Sequence, residues 1–189
     1  MIVLMLALAI VFVVGGVVLS GIVSGVRDGG DRADSGPPSL PPGVDPPEDL
    51  DVLSETGYRD LLDAIEVETG STEVFDAVLY PTYAVGSLPL DASSQSDASF
   101  TWDGALETRD ETTTSPYSRI DLATVDPAVI LRLLERARAR VDTPTAWYAT
   151  VRAPVGRDPA VIGAYASNEA GETVYLGATR TGRVTAVRP

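Results

Sequence analysis

The sequence predicts an α+β fold: a single N-terminal transmembrane helix, then two helix-plus-antiparallel-sheet modules. Three observations predict it. Residues 2–26 carry no charge. Two later segments repeat apolar residues at helical spacing. Each of those is followed by short runs rich in β-branched and aromatic residues, separated by turn residues. The expected organisation is an anchor at 1–27, a Pro/Asp-rich stalk at 28–50, a first module at 51–114 and a second at 115–189.

The uncharged run reads "IVLMLALAIVFVVGGVVLSGIVSGV". At about 1.5 Å per residue it exceeds the roughly 30 Å hydrocarbon core of a bilayer. A cleaved signal carries a basic n-region and a shorter apolar stretch before its cleavage site. Nothing basic precedes this run, and although Ser20 and Ser24 stand where a cleavage site could lie, its length favours a retained anchor. Arg27 and Arg32 follow it, which by the positive-inside rule points the rest of the chain to the cytoplasm. Asp28, Asp31 and Asp34 lie among them, and the spacer beyond has the character of an outward-facing stalk, so an extracytoplasmic domain is expected. Gly21 and Gly25 form a GxxxG spacing, extended by Gly16, Ser20 and Ser24. Such a track lets two helices approach closely in lipid and marks a candidate helix-dimer face, although Gly and Ser are also common near a helix end.

The stalk reads "DGGDRADSGPPSLPPGVDPPED" over 28–49. Its proline pairs favour extended polyproline II, and it holds too little apolar content for a core. Asp34-Ser35-Gly36 has the letters of an aspartic-protease motif, but that motif needs a buried turn and a partner copy.

The first helix is expected over about 54–68. Tyr58, Leu61, Leu62 and Ile65 share one face, Ser54 or Thr56 can cap the start, and Gly70 ends it. Strands are expected at 73–80 and 83–88, with a hairpin at 98–109 whose Asp103-Gly104 suits a two-residue primed turn. The connector "SPYSRIDLATVDP" reads as a packed entry, with Ile120, Leu122 and Val125 dipping into a core. In the second helix Asp126 caps, Pro127 takes the first position, and Ile130, Leu133, Leu134, Ala137 and Val141 form the buried stripe before Pro144 stops it. Strands at 146–153, 160–167, 172–178 and 183–188 follow.

The order is a helix and then three or four strands, stated twice. At an offset of 72, Leu61-Leu62-Asp63 meets Leu133-Leu134-Glu135, and Ala77 meets Ala149. One small sheet with one helix is a poor domain alone, whereas two such units can extend one sheet or cover each other's edges. This layout behind an anchor and an acidic stalk resembles the PepSY-like and cystatin-like modules of bacterial cell envelopes. In tandem form it is similar to β-lactamase inhibitor proteins. "RIDLATVDPAVILRLLERA" through "GRVTAV" also looks like anchored proteins of actinobacteria. The resemblance covers 51–189 at the level of element order, without a diagnostic motif. It implies a binding or inhibitory role and no particular site residue.

Composition narrows the chemistry. The net charge of −13 disfavours nucleic acid. There is no Cys, His or Lys, so Ser-His-Asp and Cys-His catalysis, thiolate or imidazole zinc sites, Schiff bases and the P-loop lysine are excluded. No cofactor or metal is expected, although a metal site built on oxygen ligands stays open. Acid–base work falls to Asp, Glu and Tyr, so a carboxylate-dependent hydrolase is the rival to a non-catalytic binding or accessory protein. A cytoplasm-facing accessory subunit is a third reading. Two features are candidate partner surfaces. Arg132, Arg136 and Arg140, at i, i+4 and i+8, form a ridge for an acidic protein, lipid headgroups or a second copy of the chain, or else a solvated helix face. Aromatics cluster on the strands: Phe75, Tyr80, Tyr83, Phe100, Trp102, Trp147, Tyr148, Tyr165 and Tyr175. Trp147 and Tyr148 are adjacent, so strand alternation turns one of them to an open sheet face.

Overall fold

A computed structural model of the 189-residue chain describes residues 50–91 and 93–189. The expected anchor, Gly21 and Gly25, the stalk up to residue 49 and the Asp34-Ser35-Gly36 triplet lie outside the described residues. Among the described residues no helix is long and apolar enough to cross a membrane.

The chain is α+β. Helix α1 spans Glu55–Thr69 and α2 spans Pro127–Arg138. After α1 come β1 (Glu73–Val74), β2 (Asp76–Leu79), β3 (Ala84–Pro89), β4 (Ser96–Trp102) and β5 (Leu106–Thr114). The connector forms β6 (Ile120–Asp121) and a 3-10 turn at Leu122–Thr124. After α2 come β7 (Ala146–Arg152), β8 (Ile162–Ser167), β9 (Thr173–Ala178) and β10 (Val184–Arg188).

Local chemistry sets the helix starts. The Ser54 hydroxyl accepts from Gly57 N–H at α1, the Asp126 carboxylate accepts from Ala128 N–H at α2, and Pro127 sits where no N–H is needed. Gly70 ends α1 at φ 74°. The second helix stops earlier than its proline suggests. After Arg138 the backbone tightens, Arg140 N–H donating to Ala137 O and Val141 N–H to Arg138 O. This delivers Val141 to the core before Thr143, at φ 48°, turns the chain. The β4–β5 hairpin also departs from expectation. Trp102 pairs with Leu106, so its loop holds three residues, 103–105, with Gly104 at φ 105°, and is not a two-residue primed turn.

Eight strands make one antiparallel sheet in the order β10-β9-β8-β7-β2-β3-β4-β5. The two halves, 51–114 and 115–189, each contribute a four-stranded meander. Their first strands, β2 and β7, pair antiparallel through Asp76–Arg152, Ala77–Val151, Val78–Thr150 and Leu79–Ala149. That junction hides two edges that would otherwise offer unpaired backbone groups. Both halves belong to a single compact unit, Pro46–Pro189. The strand expected at 73–80 is divided at Phe75: β1 pairs with β6, while β2 joins the large sheet.

One face of the sheet carries both helices and the core. Leu61 and Ile65 from α1, and Ile130, Leu133 and Leu134 from α2, bury against alternate strand residues such as Leu79, Phe100, Val151 and Leu176. Beneath α2 the strands present Ala149, Ala164, Ala166 and Ala178, small side chains that let a leucine-rich helix lie close. The connector is a packed entry: Ile120, Leu122 and Val125 are buried, and Tyr58 Oη donates to Leu122 O at 3.0 Å.

Candidate functional site

Strand alternation that sends Ala77, Leu79, Ala149, Val151, Ala164 and Leu176 into the core sends their neighbours to the other face. Among the described residues no helix crosses that face. On it lies a continuous row of five tyrosines, Tyr80 and Tyr83 from the turn that joins β2 to β3 and Tyr148, Tyr165 and Tyr175 from β7, β8 and β9. Tyr83 stacks on Tyr80 at 4.3 Å between ring centroids, and Tyr80 meets Tyr148 at 5.2 Å. Tyr148 stacks on Tyr165 at 4.7 Å, and Tyr165 meets Tyr175 at 4.8 Å. The Arg188 guanidinium closes the row, 5.4 Å from the Tyr175 ring centroid. The spacing follows from the sheet: Tyr148–Tyr165, Tyr165–Tyr175 and Tyr175–Arg188 are directly paired across β7, β8, β9 and β10.

Two glycines shape the row. A Cβ on Gly163 would stand 2.6 Å from Thr150 Oγ1 and 2.9 Å from Tyr175 Cε2. One on Gly177 would stand 2.8 Å from Tyr175 Oη. The Tyr175 ring therefore leans along the sheet over backbone that carries no side chain. Tyr80 and Tyr83 are buried and the other three half-buried. Burial raises all five phenol pKa values, that of Tyr83 to about 12, so each remains a neutral hydroxyl at any physiological pH. Stacked neutral tyrosines offer apolar contact area and hydrogen bonding with little rotamer entropy left to lose.

Four residues before Tyr80, at the other end of β2, Asp76 faces Ser87 on β3 and Arg152 on β7. Only 3% of Asp76 is exposed, and its Oδ2 has no hydrogen-bond partner. Burial pushes its pKa up to about 6, against the lowering effect of the Ser87 hydroxyl; the Asp97 charge adds to the rise and Arg152 opposes it. Asp97, half-buried on β4, accepts from the Thr113 hydroxyl at 2.5 Å. The segment after β5 returns over this end. Arg152 meets Tyr117 (Nη1 to Oη, 3.4 Å), and Arg119 lies over Phe75 while donating to Asp91 O and Ser94 O. Asp76 is thus a sealed acid rather than one open to a substrate.

The arginine ridge is not carried by one helix. Arg132 and Arg136 are exposed on α2, but Arg140 follows the helix end and borders an open cleft of about 300 Å³ with Glu172. Arg138 instead lies over Trp147, 4.0 Å from a ring centroid. Trp147 packs against the core and Tyr148 joins the opposite row, so the two adjacent aromatics do take opposite faces. Sequence reasoning singled out Tyr148 alone from this row. Tyr165 and Tyr175 were legible as partners in one respect: both sit beside core-facing residues on their strands. Their adjacency to Tyr80 and Tyr83, and the roles of Asp76, Arg152 and Arg188, depend on strand order. Among the described residues no group of three or more acidic side chains is placed to hold a metal ion.

No protein-family model matches this chain, and neither a curated protein nor a solved structure matches it.

Proposed function

We propose that this chain is a single-pass, membrane-anchored binding or accessory protein that works without catalysis and grips a protein partner through the tyrosine face, on the extracytoplasmic side of the membrane. The observation that carries the reading is the row from Tyr83 to Tyr175, five rings side by side with Arg188 at its margin. Clustered tyrosines flanked by arginine have the composition of an interface centre. The uncharged run at 2–26 supplies the tether, and the proline-rich stalk the spacing from the bilayer. Two helix-plus-meander halves meeting at β2 and β7 support a duplicated module, in keeping with the resemblance to PepSY-like and cystatin-like domains. The net charge of −13 turns the reading away from nucleic acid.

The test is site-directed photocrosslinking in cells expressing the full chain. A photoreactive phenylalanine in place of Tyr148 or Tyr165 is expected to give an adduct of defined mass, and the same probe at Arg132 is expected to give none. An adduct of twice the chain's mass identifies a homodimer as the partner. No adduct from either tyrosine position, or one from Arg132 alone, overturns the reading. A C-terminal reporter active only outside the cell is expected to score; activity of a cytoplasm-restricted reporter makes the chain a cytoplasm-facing subunit.

A carboxylate-dependent hydrolase is the second reading; the sealed position of Asp76 speaks against it, and the Asp97 charge acting on that raised carboxyl is the one observation that speaks for it. Its test is turnover by the purified chain that disappears in both Asp76→Asn and Asp97→Asn.

A further inference from the structure

We propose that β10, the outer strand beside the tyrosine row, receives an extended acidic segment of the partner protein as an added strand. This inference rests on the row being the binding face, because Arg188 of β10 closes that row.

The large sheet ends in β5 on one side and β10 on the other. An edge strand offers unpaired N–H and C=O groups, and charged side chains along it guard against pairing with another chain. β5 has that guard: Glu107, Arg109, Asp110 and Glu111 stand among its nine residues. β10 reads Val184-Thr185-Ala186-Val187-Arg188, with no charge before its last residue. Among the described residues nothing pairs with its outer side, and Val187 is 56% exposed. The ladder to β9 shifts register at Thr185 and is regular over Ala186–Arg188. There Val187 pairs with Leu176 of the core, and Arg188 pairs with Tyr175 of the row. An added strand therefore sets one residue beside Val187 on the helix side and the next beside Arg188 on the tyrosine side. An apolar residue followed by an acidic one is the complement of that pair.

The charge of the partner follows from the β9–β10 hairpin. Residues 173–189 hold Arg180, Arg183 and Arg188 and no Asp or Glu, in a chain of net charge −13. All three arginines are exposed, and among the described residues none of them forms an ion pair. Glu172, the acid next to the hairpin in sequence, is engaged elsewhere: it accepts from Asp142 N–H at 3.0 Å and from Asn168 Nδ2 at 2.8 Å. An extended acidic segment gains main-chain hydrogen bonds from the edge and charge pairing from the arginines.

The test uses the full chain in detergent and short synthetic peptides: Glu alternating with Val, the same peptide fully N-methylated, and Lys alternating with Val. At about ten times its Kd the Glu/Val peptide is expected to slow amide hydrogen exchange in 184–188 about tenfold and to leave β5 unchanged. The N-methylated peptide, which has no main-chain donor, is expected to give no slowing. The double change Arg183→Glu and Arg188→Glu is expected to weaken the Glu/Val peptide about tenfold and to favour the Lys/Val peptide. No slowing in 184–188, equal slowing by the N-methylated peptide, or a preference of the parent chain for the Lys/Val peptide overturns the added strand. In cells, photoreactive probes at Tyr148 and at Val187 are expected to give adducts of the same mass. An adduct from Tyr148 with none from Val187 sinks the added strand and leaves the tyrosine face standing; none from either sinks both. An adduct of twice the chain's mass from Val187 makes the edge a contact between copies and overturns the acidic partner.

Discussion

Replacing Asp76 by Asn tests whether the sheet carries a sealed acid at its centre. Asp76 is 3% exposed, and its pKa rises from 3.8 to about 6 on folding. The folded state therefore holds this proton more tightly than the unfolded chain does. The corresponding stability is fully present below about pH 4 and is lost as pH rises towards 6. At ~1.4 kcal/mol per pH unit, a shift of about two units makes the ionised carboxylate cost roughly 3 kcal/mol above pH 6. Asn has the shape of the protonated acid and cannot ionise. Asp76→Asn is therefore expected to match the parent near pH 4 and to exceed it by about 2–3 kcal/mol at pH 7, somewhat less where the Arg152 attraction is lost. The assay is urea unfolding of residues 46–189, which form one compact unit, followed by the fluorescence of Trp102 and Trp147 from about pH 4 to pH 8. A variant less stable than the parent at pH 7, or one with the same pH slope, would refute the account of a buried, unsatisfied carboxylate.

Three further outcomes are expected. Gly163→Ala places a methyl group 2.6 Å from Thr150 Oγ1 and 2.9 Å from the Tyr175 ring; it should cost about 1–3 kcal/mol and shift the Tyr175 aromatic resonances. Tyr58→Phe removes the buried hydrogen bond to Leu122 O, and about 1–2 kcal/mol should be lost in the same unfolding assay. The double change Arg132→Ala and Arg136→Ala touches exposed side chains on α2 and should alter stability by less than about 0.5 kcal/mol; on the proposal that the tyrosine face is the gripping surface, it should also leave crosslinking from Tyr148 intact.

Both helix stripes were legible from residues a few positions apart, because helical period is a local property and Tyr58, Leu61 and Ile65, or Ile130, Leu133 and Leu134, need only one another to be recognised. The caps at Ser54 and Asp126 were legible for the same reason. The exact stop of α2 was not, since the drive to bury Val141 unwinds the chain before Pro144 is reached. The three-residue β4–β5 loop escaped too, because Asp-Gly serves more than one hairpin length and the Trp102–Leu106 register selects among them. Of the candidate surfaces, the arginine ridge assumed a helix two residues longer than α2, whereas strand alternation separated Trp147 from Tyr148 without saying which of them faces away from the core.

What the sequence determined by itself is the inventory: an uncharged run long enough to cross a bilayer, an acidic proline-rich spacer, two helix-then-strands segments, and side chains lacking thiol, imidazole and amine. Tertiary structure alone decided that the halves meet through β2 and β7, and hence that Tyr80 stands beside Tyr148 and Asp76 beside Arg152. Period and capping act over a few residues and leave their mark in the order of the letters. The pairing of two strands some seventy residues apart is chosen by which edges and which core surfaces can be buried together, and no short stretch of either strand records that choice.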